Sequence, residues 1–174
     1  MRDLLLVIVT VLFGLNSYGQ EIKTTEQILK TACEKAGKEN KNVFVKFKAS
    51  WCGWCKKMEA SMNDITTKKY FDDNYVTVYL IVQESPANKM LETPGALRYM
   101  QTLKADAAGL PFFVIIDKKG KVLGDSFVNN QNLGCPTAPD EVASFISLIK
   151  KTSPIDETGL DAISKRFKLN SPQQ

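Results

Sequence analysis

Two cysteines separated by two residues, in Trp51-Cys52-Gly53-Trp54-Cys55-Lys56-Lys57, form the densest group of reactive side chains in the sequence. Such a pair can exchange electrons as dithiol and disulfide, clamp a metal, or staple the backbone. A structural zinc site needs four Cys or His ligands, usually as two spaced pairs. This chain has one CxxC, two further cysteines standing alone at 33 and 135, and no histidine. A staple across two residues restrains little, because the entropy a crosslink removes grows with the loop it closes. Redox exchange is the better account. It requires a cysteine that ionises readily. At the start of a helix, free backbone N–H groups and the helix dipole favour a thiolate, and Lys56 and Lys57 add positive charge. In that placement Cys52 is the exposed nucleophile, and Cys55, one turn on, attacks the mixed disulfide that Cys52 forms.

The neighbouring segments supply that placement. In NVFVKFKAS, Val43, Val45 and Phe47 alternate with Phe44, Lys46 and Lys48, a strand by period and side-chain type. It runs directly into the CxxC, after which the pattern reads as a helix toward Met62. Upstream, Thr24 and Gln27 have capping-box spacing, and Ile28, Leu29, Ala32, Cys33 and Ala36 recur at helical intervals up to Gly37. Downstream, Asp64 is placed to cap a short helix through Tyr70 and Phe71, and Tyr75–Val82 reads as a second strand. Residues 83–94 read as a loop, Ala96–Leu103 as a helix, and Phe112–Asp117 and Lys121–Phe127 as strands joined at Lys118-Lys119-Gly120. Asp140 is placed to cap a helix carrying Val142, Phe145, Ile146 and Ile149. Beyond Ser153-Pro154 comes a short amphipathic helix with Leu160, Ile163 and Phe167. Strand–helix–strand at the front favours a parallel pair and the hairpin adds antiparallel strands. The expected fold class is α/β, one mixed sheet covered on both faces.

The 174 residues are 44% hydrophobic and 24% charged, which suits one globular domain of ordinary size. The net charge of +4 comes from lysines interleaved with acids, so no basic stripe for nucleic acid is expected. Having no histidine removes the commonest general base and transition-metal ligand. The opening MRDLLLVIVTVLFGLNSYGQ has a short apolar run and small residues before Gln20, the layout of a secretory signal peptide over 1–19. An uncleaved anchor is the alternative. The expected division is then 1–19 signal peptide, 20–151 main domain and 152–174 helical tail, in a secreted or periplasmic protein with no stable membrane insertion after cleavage. That compartment permits disulfides.

The segment VFVKFKASWCGWCKKME, with GLPFFVIID downstream, resembles the thioredoxin superfamily over roughly residues 25–151. It is similar in particular to thioredoxin-like domains of periplasmic disulfide reductases. The resemblance implies a thioredoxin fold with a short C-terminal extension and a Cys52/Cys55 redox centre flanked by Trp51, Gly53 and Trp54. It implies a cis-proline at Pro111 facing the CxxC, where the bland alternative is a strand-edge proline. No cofactor beyond the Cys52–Cys55 disulfide is implied; the implied partners are disulfide-containing protein substrates and an electron-donor protein. Typical members carry a buried Asp six residues before the first cysteine; here that position is Lys46. Glu59, four residues after Cys55, is a candidate for the missing acid–base role or an exposed helix glutamate. The Gly53-Trp54 dipeptide lacks the histidine of strongly oxidising members, which favours a reductant. An oxidant, an isomerase or a non-catalytic binding module are the alternatives. In this layout Cys33 and Cys135 fall at opposite ends of the sheet, Cys33 buried on a helix face and Cys135 in a loop on the catalytic side.

Overall fold

The computed structural model describes residues 22–171. The expected signal peptide over 1–19 lies outside them. Helix α1 (Thr25–Glu39) opens on the capping box, with Gln27 N donating to Thr24 Oγ1 and Thr24 N to Gln27 Oε1. It continues past Gly37 and closes at Asn40, whose φ of 52° is left-handed. One interior glycine costs a helix only about 1 kcal/mol, and asparagine accepts the left-handed cap.

Four strands form the main sheet: β1 (Asn42–Lys48), β2 (Tyr75–Ile81), β3 (Phe112–Ile116) and β4 (Val122–Asp125), in the order β2-β1-β3-β4. β1 runs parallel to β2 and antiparallel to β3, and β3 runs antiparallel to β4. The five residues Val43–Phe47 of β1 are all buried, as a central strand covered on both faces must be. Val43, Val45 and Phe47 face α1 and α4 (Ala96–Thr102), packing with Ala32, Ala36 and Met100. Phe44 faces the other way, into a cluster with Met58 and Met62 of α2 (Gly53–Met62) and Phe71 of α3 (Lys68–Asn74). Phe145 of α5 (Pro139–Thr152) and Phe167 of α6 (Glu157–Lys168) complete that layer. The mixed sheet, its two helical layers and the C-terminal helix match the expected fold class. Among the described residues no helix is long and apolar enough to cross a membrane.

Several local expectations are corrected. Asp64 does not cap α3, whose N-cap is Thr67; Asp64 Oδ1 instead accepts from Thr66 N and Oγ1 in a side-chain turn. Nor does Asp140 cap α5. The helix starts at Pro139, suited to a first turn by its fixed φ, and Glu141 Oε2 accepts from Thr137 N and Ala138 N. The strand expected over Lys121–Phe127 is broken at Ser126, whose N–H still bonds Phe113 O. Phe127 and Val128 (β5) leave the sheet and pair with Gln131 and Asn132 (β6). Asn129 and Asn130 connect them at φ 50° and 63°, the doubly left-handed turn that two-residue hairpins favour and asparagine tolerates. The segment 83–94 holds a short 3-10 helix, Pro86–Leu91.

Candidate redox site

Beyond the C-terminal end of strand β1, Ala49 O accepts from Cys52 N at 3.1 Å and the chain turns into α2. Cys52 is the N-cap of that helix, with extended backbone, and its Sγ accepts from Cys55 N at 3.1 Å. The sulfur therefore occupies the position at which helix starts hold partial negative charge. Cys52 and Cys55 are joined, Cα to Cα 5.3 Å. Both are buried, at 3% and 2% exposure, with Ala49 and Leu110 packed against them. This corrects the expectation that Cys52 is exposed. What distinguishes it from Cys55 is the helix-start donor, and exposure falls instead on Trp51, Gly53 and Trp54.

Each flanking residue has a definite partner. Trp51 Nε1 donates to Gln83 O at 2.8 Å, and Lys57 Nζ stands 4.3 Å from the centre of the Trp54 ring. The Leu110–Pro111 peptide bond is cis, and Pro111 is buried at the start of β3. Asn132 Nδ2 donates to Gly109 O and Pro111 O, at 2.6 and 3.1 Å, so the β5–β6 ribbon holds the proline loop beside the disulfide.

Beneath α2 lies a pocket of about 330 Å³ in which Cys55 and Glu59 share the wall with Lys48, Ser50 and Glu84. Glu59 is not a free surface glutamate, since Lys48 Nζ donates to its Oε2 at 2.9 Å. Glu84 is a site residue that local sequence patterns do not reveal. It is 5% exposed, and its two oxygens accept from Ser50 N and Ser50 Oγ, fixing the residue that precedes the motif. The only sequence sign was a carboxylate in a loop, which is ordinarily solvated.

Lys46 is fully buried on the α2 side of the sheet. Its Nζ finds no hydrogen-bond acceptor among the described residues and lies 5.2 Å from the Tyr79 ring centre. Burial pushes its ammonium down to about 8, with Glu59 opposing the shift. The two remaining cysteines are unpaired thiols. Cys33, partly buried on α1, approaches Asp117 O at 3.8 Å beyond the end of β3. Cys135 lies in the loop before α5 and is buried there: it is 7% exposed, with Asn170 Nδ2, from the turn that follows α6, 3.6 Å from its Sγ. Burial pushes that thiol up to about 11, while Lys46, Lys57 and Arg166 pull it down. Among the described residues no three His, Cys, Asp or Glu side chains are grouped to hold a metal ion.

A family model described as thioredoxin-like matches residues 24–118, more than half of the chain. Among solved structures, a disulphide isomerase from Xylella fastidiosa Temecula1 superimposes with a TM-score of 0.51 at 16% identity, covering 90% of this chain and 99% of that one. The C-terminal domain of Neisseria meningitidis DsbD, in its oxidised form, gives 0.46 at 20% identity, covering 75% and 98%. A DsbH oxidoreductase gives 0.42 at 22% identity, covering 74% and 83%. No curated protein matches the chain.

Proposed function

The chain belongs to the thioredoxin-like family, and on that premise we propose that it is a thiol–disulfide oxidoreductase that reduces protein disulfides through Cys52 and Cys55. The single observation that carries this reading is Cys52 Sγ at the N-cap of α2, accepting the Cys55 N–H and bonded to a second, buried cysteine. In the reduced protein, the Cys52 thiolate attacks one sulfur of a substrate disulfide. A Cys52–substrate S–S bond forms, and the other substrate sulfur leaves as thiolate with the electron pair. Cys55, having lost its proton, attacks Cys52; the Cys52–Cys55 bond forms and the second substrate sulfur leaves. Two electrons reach the substrate, and a dithiol electron-donor protein restores the pair. The redox disulfide is the whole of the chemistry, with no metal or organic cofactor.

Glu59 is proposed to receive the Cys55 proton across the pocket they share, which its position supports and its ion pair with Lys48 tempers. Pro111 is proposed to border the substrate groove. The absent histidine between the cysteines supports reduction over oxidation or isomerisation. We place the protein outside the cytoplasm, secreted or periplasmic, with residues 1–19 removed, 20–151 as the catalytic domain and 152–174 as its extension.

Trapping tests the roles. Challenged with a disulfide substrate, Cys55→Ser protein should accumulate a mixed disulfide through Cys52, and Cys52→Ser protein should not, as non-reducing gels and peptide mapping would record. Equal trapping by both, or none by either, overturns the assignment.

A further inference from the structure

A buried ammonium beneath the first turn of α2 has no hydrogen-bonded partner among the described residues. On β1, Lys46 lies one pleat beyond Phe44 on the α2 face, toward the end at which the chain enters α2. Phe44 packs in the same cluster as Met58 and Met62, and the residue that α2 buries one turn before Met58 is Cys55. Two strand residues advance about 6.7 Å and three helix residues about 4.5 Å, so Lys46 falls under the turn that holds Cys55.

Groups from several elements surround the ammonium. β3 offers Phe113 and β2 offers Tyr79, whose hydroxyl burial keeps protonated. β1 adds a second cation, Lys48, and α2 brings Glu59, which Lys48 already engages at 2.9 Å. The segment before α5 brings Cys135, a thiol held neutral by burial. A buried ammonium with no hydrogen-bonded partner destabilises a fold, and the Tyr79 ring 5.2 Å away offers it only a weak cation–π contact. The anion that can arise here is the sulfur released by the disulfide.

We propose that Lys46 is a positioning residue whose buried ammonium is the counter-charge of the Cys55 thiolate formed when the Cys52–Cys55 bond opens. This rests on the oxidoreductase reading and adds the group that sets its poise. A protein thiolate attacks Cys52 and forms a new S–S bond; the Cys52–Cys55 bond breaks, and its electron pair leaves on Cys55. Lys46 keeps its proton throughout. It improves Cys55 as leaving group and stabilises the reduced form, drawing the couple toward the oxidising side of where it would otherwise stand.

Coupling of this kind is reciprocal: if Lys46 favours the thiolate, opening the disulfide must raise the pKa of Lys46. The decisive measurement uses the unaltered chain. With ¹³C-labelled lysine, the Lys46 side chain is titrated by NMR in the oxidised and the reduced protein. Half-titration near pH 8 when oxidised, rising by at least one pH unit on reduction, is the expected result. The same midpoint in both states overturns the proposal. Second, Lys46→Met should shift the equilibrium with glutathione about tenfold toward the disulfide, about 30 mV for a two-electron couple, with no loss of melting temperature. An equilibrium that does not move also overturns it, and if the variant fails to fold the titration decides alone. A protein-disulfide reduction assay separates the two readings. Full coupling at Lys46 without turnover removes only the proposed function, and turnover without coupling removes only this role.

Discussion

Lys46 is fully buried, and its Nζ reaches no hydrogen-bond acceptor among the described residues. Its ammonium forms less readily in the fold than in the unfolded chain. From about pH 8 up to the ordinary lysine value, the unfolded chain therefore binds the extra proton, and stability rises with pH. Below pH 8 the full cost applies, about 3 kcal/mol at 1.36 kcal/mol for each pH unit. Lys46→Met should thus be the more stable protein near pH 7 by about that amount, and its advantage should shrink toward pH 10. Urea unfolding of both proteins at the two pH values measures this; a constant difference would remove the charge as its cause. Glu59 makes a contrasting residue-scale prediction. Its carboxylate holds Lys48 and shares a pocket with Cys55, so Glu59→Gln should slow resolution of the mixed disulfide by roughly tenfold or more and change its pH dependence. An unaltered rate profile leaves the ion pair as its only task.

At the scale of elements, α6 is part of the core. Phe167 is fully buried, its ring centre 4.8 Å from that of Phe145 and 6.5 Å from that of Phe71. Polar contacts align the same helix: Arg166 Nε donates to Asp64 Oδ2 at 2.8 Å, and Asn170 bonds Ser61 beneath it. Phe167→Ala should cost about 3–5 kcal/mol in urea unfolding; a loss below 1 kcal/mol would mean that α6 is only loosely attached. Thr66 N–H and hydroxyl, then Arg166, hold the Asp64 carboxyl down to about 2. That contribution is present above the ordinary aspartate value near 4 and is lost as pH falls through the folded value. Hydrogen-exchange protection of α6 should therefore decline between about pH 4 and pH 2 more in the native protein than in Asp64→Asn. Equal decline in both would assign the acid sensitivity elsewhere.

For the molecule as a whole, the quantity that decides its role is the potential of the Cys52–Cys55 couple. The missing histidine argues for a value nearer thioredoxin's, about −270 mV, than the roughly −120 mV of a strong oxidant. Lys46 pulls the other way, and equilibration with glutathione measures the balance. A value at the oxidising end would reverse the proposed direction of electron flow while leaving the chemistry of the pair intact. The β5–β6 ribbon borders the same site, because Asn132 ties it to both Gly109 and Pro111.

Much of this architecture was legible in the chain because it is encoded over short spans. The alternation along Val43–Lys48, the CxxC that follows it and the capping box at Thr24 each lie within one turn or one strand, where local sterics and period decide the outcome. These features determined the fold class and the pairing of Cys52 with Cys55. Alternation also set Lys46 on a definite face, but only the packing of α2, α5 and α6 made that face dry and the charge consequential. Glu84 fixing Ser50 across 34 residues, Ser126 ending β4, and Asn170 covering Cys135 are likewise tertiary facts. Whether a polar group is paired or stranded depends on which distant segments exclude water from it, and no short window of sequence contains that information.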